Sequence, residues 1–347
     1  MGPPGAILVC VRTSHRAPGI LQAIIPFLLG TACAWIFGSP AVMTPARAGE
    51  SFAIVNAHEH IESISLVPRY LEAMRRVGVA RTILVGSPHA IFIEGSDGFH
   101  REEENNLEIL RIAAANPDTF IAFPTVNMDD LDRVEKLKKY VAMGGRGLKL
   151  YGGSSVYHTI PLDDKALTPL FEYCQQQRIP VLLHVNAGLY LKEFEAVLDR
   201  FPRMTVICPH LCMSTVEYKR LDELLDHHPQ LYTDISFGYI KQLKAGLERF
   251  SKHPERYRKL IIKHQDRVLF GTDMVITGAP EKDADWLAGV ARGYRDLLEK
   301  DTYTFFALPG ETLRGLRLDP AVLEKIYRTN IEKLLAVNSP ALPSSAH

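Results

Sequence analysis

The segment Ala53-Ile-Val-Asn-Ala-His-Glu-His-Ile61 decides the fold. Its apolar, β-branched part reads as a strand over Phe52–Ala57 that runs directly into Asn-Ala-His-Glu-His. A doubly wound nucleotide-binding sheet would carry a glycine-rich phosphate turn after its first strand, and this strand has none. Seven further strand-like runs follow, at Arg81–Gly86, Phe120–Pro124, Gly147–Tyr151, Ile179–His184, Met204–Pro209, Leu231–Ile235 and Val268–Gly271. Amphipathic stretches separate them, among them Pro68–Val77, Leu107–Ala115, Leu131–Met143, Leu167–Gln177, Leu191–Arg200 and Val216–His227. A long charged segment, 239–264, reads as a helix interrupted near Pro254, and Val322–Leu335 reads as the last helix. Eight strand-then-helix units within residues 49–347 predict a single (β/α)8 TIM barrel of the α/β class.

The first 48 residues read differently. They hold Arg12, Arg16 and Arg47 but no acidic residue, and Ile20–Phe37 is almost wholly apolar. Ala46-Arg47-Ala48 then gives a small-x-small pattern before Gly49. A basic leader, an apolar stretch and such a site predict a cleaved signal peptide over 1–48 and an exported product, periplasmic or secreted. The competing reading is an uncleaved anchor, since the apolar stretch approaches spanning length. In that case alone would the protein meet a membrane. Residues 338–347 read as a disordered tail.

Charge and cysteine content narrow the class. Forty basic and forty acidic side chains cancel, which excludes the cationic surplus that nucleic-acid binding demands. Hydrophobic content of 46% excludes wholesale disorder. Of five cysteines only Cys174, Cys208 and Cys212 follow the leader, so no disulfide framework is implied. The partner left by these exclusions is a small-molecule substrate, with a homo-oligomer also open.

Chemistry concentrates where a barrel builds its active site, at the C-terminal ends of the strands. Those ends carry His58 and His60, then Lys149, His184, His210 and Asp273. Residues two apart on a strand face the same way, so His58 and His60 should point together toward the barrel axis. Two imidazoles suit a metal such as zinc, and a third with a carboxylate would complete a site. Glu59 should point to the opposite face as a strut, and Asp234 could fix a neighbouring histidine. Cys208 is expected to share the inward side of His210, one layer deeper. The loop residues His89 and His100 read as solvated. The apolar run Tyr303–Gly310 reads as a lid, a subunit contact or a pad beneath the last helix.

The motifs AHEH, GLKLY, LLHVN, CPHL and LFGTD, with the closing GLRLDPAVLEKIYRTNIEKLL, resemble the amidohydrolase superfamily. Within it they are similar to the amidohydrolase-related group that includes aminocarboxymuconate-semialdehyde and resorcylate decarboxylases. The resemblance runs from Ile54 to the end of the last helix. It implies a metal-dependent barrel enzyme in which His58, His60, His184 and Asp273 hold one divalent ion, zinc first. Asp273 and His210 are implied as the catalytic acid–base groups. Lys149 is implied either as a cation for a substrate carboxylate or, in the two-metal branch, as a carboxylated bridging ligand. The activity implied first is hydrolysis of an ester, lactone or amide. The alternative is decarboxylation of a carboxylated substrate.

Overall fold

In the computed structural model, residues 53–93 and 98–338 are described, so the leader and nearly all of the predicted tail lie outside the described residues. Eight parallel strands follow in chain order: β1 Ile54–Glu59, β2 Val79–Val85, β3 Phe120–Phe123, β4 Leu148–Gly153, β5 Val181–Val185, β6 Val206–Cys208, β7 Leu231–Asp234 and β8 Val268–Leu269. Regular pairing runs β1-β2-β3 and β4-β5-β6-β7-β8. Backbone bonds also cross the two gaps. Lys149 N donates to Pro124 O at 2.8 Å, and Ala57 N donates to Phe270 O at 2.8 Å.

Alternation along the strands divides the core in two. Val55, Ala57, Ile83, Val85, Ile121, Phe123, Leu182, Ile207 and Leu269 form the inner cluster. Their neighbours, such as Ile54, Leu84, Leu183 and Val206, face the surrounding helices in a larger cluster. The foot of the inner cluster is closed by Ile331, Leu334 and Leu335 of the helix Asn330–Val337. That helix is tied beneath β8 by Asn330 Nδ2, which donates to Val268 O at 2.9 Å.

Most predicted elements appear with shifted ends, and several differences have clear causes. The 239–264 segment is two helices, Ile240–Lys252 and Pro254–Lys263, because proline starts a helix but cannot continue one. The last helix is three pieces, with a π-turn at Lys325–Thr329 between Pro320–Glu324 and Asn330–Val337. Leu131 is 98% exposed and precedes the helix Arg133–Ala142 rather than opening it. An unpredicted helix, Ala284–Glu299, begins at Asp283, whose side chain accepts from Trp286 N at 2.8 Å. The Tyr303–Gly310 run is a pad, but on that helix. It lies between β9 (Thr302–Tyr303) and β10 (Leu313–Arg314), and Phe305 and Phe306 cover Gly293 and Gly289.

Leu182→Ala tests the inner cluster, because this fully buried side chain packs within it. Urea unfolding is expected to show a loss of about 2–5 kcal/mol. Leu189→Ala, at an exposed position, should stay within about 0.5 kcal/mol of the parent.

Candidate metal centre

Strict alternation from the inward Val55 and Ala57 would turn His58 outward. The register of β1 against β2 shifts between Asn56 and Glu59, where β1 carries one residue more than its partner. Such a bulge re-aims the chain. His58 and His60 consequently both enter the barrel, and Glu59 turns away from them toward Thr272.

The partners of each imidazole assign its tautomer. His58 Nδ1 lies 3.0 Å from Asp234 Oδ2, a pure acceptor, so Nδ1 carries the proton. His60 Nδ1 lies 2.7 Å from Ser87 Oγ, whose own hydrogen goes to Val85 O, so His60 is again the donor. His210 Nδ1 donates to Ser236 O at 3.1 Å and Ser236 Oγ at 2.9 Å. All three Nε2 atoms therefore present lone pairs. They face one carboxylate: Asp273 Oδ1 is 3.0 Å from His60 Nε2 and 3.7 Å from His58 Nε2, while Oδ2 is 3.5 Å from His210 Nε2. Asp273 Oδ1 is buried and accepts no hydrogen bond. Burial drives the His58 imidazole down to about 4 and lowers His60 as well, so both are neutral near pH 7.

Neutral nitrogen lone pairs turned toward an anionic oxygen repel one another unless a cation stands between them. The donor atoms of His58, His60 and Asp273 lie within 4.8 Å of one another, as a metal requires. The residues present thus fit a divalent ion with nitrogen and oxygen preference. A second group, Asp222, Asp226 and His264, is a different case. Lys263 Nζ sits 2.6 Å from both of its carboxylates and already supplies their counter-charge.

His210 reaches the site by an unexpected route. Strand β6 ends at Cys208, which packs in the outer cluster with the helices and not below His210. His210, Leu211, Cys212 and Met213 then all adopt left-handed backbone, with φ of 59°, 54°, 52° and 54°. This left-handed turn swings the His210 ring inward. Asp234 anchors it: Oδ1 accepts from His210 N at 3.0 Å, Ser236 N at 3.0 Å and Ser236 Oγ at 2.6 Å. Burial opposes the charge on Asp234, but the His58 contact and these donors hold its carboxyl well below the usual range. Asp234 therefore fixes two histidines, not one.

His184 and Lys149 flank this group. His184 is half-buried, meets His210 edge-on with ring centroids 5.0 Å apart, and stands outside the tight His58–His60–Asp273 group. Its burial lowers its basicity well below the ordinary value. Lys149 is fully buried, its Nζ 3.1 Å from His58 Nε2 and 4.8 Å from the centre of the Tyr151 ring. Burial pulls its ammonium down to about 8. Phe99, Tyr151 and Tyr157 pack edge to face beside His60 and form an aromatic wall. Ser87, Ser236 and the aromatic wall escaped sequence reasoning, because no spacing marks a residue that acts by touching another strand's side chain. Two surface cavities of about 530 and 590 Å³ are lined by none of these residues.

A (β/α)8 barrel with a buried histidine–carboxylate centre at its strand ends defines a class of barrel enzymes. The chain belongs to the amidohydrolase family: the family profile described as Amidohydrolase matches residues 89–337. That match covers Lys149, His184, His210 and Asp273 and begins after the strand-one histidines. Among solved structures the chain is similar to 2,6-dihydroxybenzoate decarboxylase from Rhizobium, at 16% identity and a TM-score of 0.57, covering 83% of this chain and 100% of that one. It is also similar to 4-oxalomesaconate hydratase from Rhodopseudomonas palustris, at 18% identity and TM-score 0.52, over 82% and 96% of the two chains. A third is a dihydroxybenzoic acid decarboxylase from Polaromonas with bound manganese, at 16% identity and TM-score 0.53, over 83% and 98%. No curated protein matches the sequence.

Asp234→Ala leaves His58 Nδ1–H, His210 N–H and Ser236 N–H without their acceptor. Each buried orphan costs about 1–3 kcal/mol, so chemical denaturation should show a loss above about 3 kcal/mol. Asp234→Asn keeps one acceptor oxygen and should recover part of it.

Proposed function

We propose that the protein is a metal-dependent hydrolase acting on an ester, lactone or amide of a small molecule. The observation that carries this reading is the convergence of three Nε2 lone pairs on the Asp273 carboxylate. His58, His60 and Asp273 would hold the ion, with His184 as a fourth ligand, and their donor set favours zinc. When bound, such an ion supplies Lewis acidity and lowers the pKa of water to about 7. Asp273 takes the proton of the attacking water. Asp273 would hand that proton to the leaving group, either directly or through the His210 Nε2 that faces its Oδ2 at 3.5 Å, and His210 would orient the substrate oxygen. The aromatic wall of Phe99, Tyr151 and Tyr157 excludes water on one side.

Lys149 supports a second reading. A buried amine 3.1 Å from His58 Nε2 could hold a substrate carboxylate, as a decarboxylase needs. The decarboxylase names of two structural neighbours agree with it. Carboxylation of Lys149 would instead make it a bridge between two ions. The basic, apolar leader supports an exported enzyme that meets an incoming compound.

Purified protein assayed against lactones, esters, amides and aromatic carboxylates separates the two readings by acid release or carbon dioxide release. Elemental analysis is expected to give one ion per chain. Two ions with a carboxylated Lys149 in the mass spectrum would replace the single-ion reading.

His210→Ala should keep the ion and lower turnover by about 100- to 10,000-fold. Asp273→Asn should weaken both metal binding and turnover. Metal content and rate measured on the same preparations distinguish a proton-transfer role for His210 from a ligand role.

A further inference from the structure

Glu59 is buried completely between the two strand-one histidines, yet it faces neither. Its carboxylate gathers five donors. Oε1 accepts from His60 N at 2.9 Å, Met274 N at 2.8 Å and Val275 N at 3.2 Å. Oε2 accepts from Thr272 Oγ1 at 2.6 Å and Asn56 Nδ2 at 3.4 Å. Three of these donors bracket Asp273 in the chain. The bracketed segment is strained: Asp273 has φ of 51° and Val275 has φ of 53°. A β-branched residue at positive φ is a genuine outlier and persists only where its surroundings hold it. Left to relax, the segment would carry the Asp273 carboxylate away from the imidazoles.

We infer that Glu59 is a positioning residue that holds the Thr272–Val275 turn and so delivers the Asp273 carboxylate to His58, His60 and His210. Because Glu59 lies between His58 and His60 in the chain, one residue ties the strand-one ligands to the strand-eight carboxylate. Its hydrogen bond from His60 N fixes both halves to the same atom, Oε1. The inference rests on the proposed metal reading only for its effect on affinity. The tethering itself is a matter of backbone geometry.

The test compares the full-length protein with Glu59→Gln and Glu59→Ala. Amide hydrogen exchange of Met274 and Val275 is measured without metal, and Co²⁺ is then titrated while its visible absorption bands are followed. Exchange at these two amides should rise from wild type to Gln to Ala, with the β4 and β5 amides unchanged. Co²⁺ affinity should fall in the same order, by about 10- to 100-fold for Ala, with altered band positions. Where Glu59→Ala does not fold, Glu59→Gln decides alone. Faster exchange at Met274 or Val275 with a melting temperature within a few degrees of wild type supports the role. Exchange and spectrum identical to wild type overturn it. If wild type binds no Co²⁺, the metal reading fails, and the exchange data still decide for or against Glu59.

Discussion

Three imidazole lone pairs and one carboxylate face one another across a few ångströms of buried space, and the rest of the upper barrel is arranged around that repulsion. In water such groups would turn away or take up protons. Here all three imidazoles are denied the first choice, and His58 and His60 the second as well. Each Nδ1–H is committed to an acceptor, on Asp234, Ser87 or Ser236, and burial penalises the protonated form of His58 and His60. The arrangement is an unfavourable one held ready for a cation, which is what preorganisation of a metal site means physically.

The barrel and its chemical residues were legible because they follow from period and position. Apolar runs with a period of two, separated by amphipathic stretches, place His184 and Lys149 inward by simple alternation, and the structure agrees. The same counting fails at His58 and at His210. A single extra residue in β1 reverses the parity below His58, and the end of β6 at Cys208 removes the strand on which parity could operate. Both residues still stand at the strand ends, because the motifs mark the height in the barrel even where alternation does not mark the direction. Bulges and left-handed turns leave no periodic trace, since each is decided by hydrogen bonds to distant strands.

Lys149 shows how such a centre tolerates a cation of its own. An ammonium 3.1 Å from His58 Nε2 would donate to the lone pair that a metal needs. Burial lowers the amine to about 8, while the nearby Asp273 and Asp234 carboxylates and the Tyr151 ring face 4.8 Å away favour its charge. Lys149 is consequently a group whose charge is weakly held in the metal-free protein. Either loss of its proton or a bound anion beside it relieves the conflict with a cation in the centre. Both routes are consistent with a substrate or modification that brings negative charge to the same spot.

Two strained segments border the centre, and each is fastened by a buried carboxylate on a neighbouring strand. The four left-handed residues 210–213 cost about 1–2 kcal/mol each relative to ordinary backbone. Asp234 and the turn's own bonds, Met213 N to His210 O and Ser214 N to Leu211 O at 2.9 Å, offset that cost. The positive-φ residues Asp273 and Val275 have Glu59 in the same role. Hydrogen bonds are worth about 0.5–1.5 kcal/mol each and about 1.5–3 kcal/mol to a charged group such as Asp234, enough for a carboxyl with several donors to hold a strained turn, even though burial pushes Glu59 up to about 8. Removing such an anchor would break several bonds together, so the two turns should respond as units rather than residue by residue. The centre's rigidity therefore comes less from the imidazoles and Asp273 themselves than from the two acids that fasten the turns carrying them.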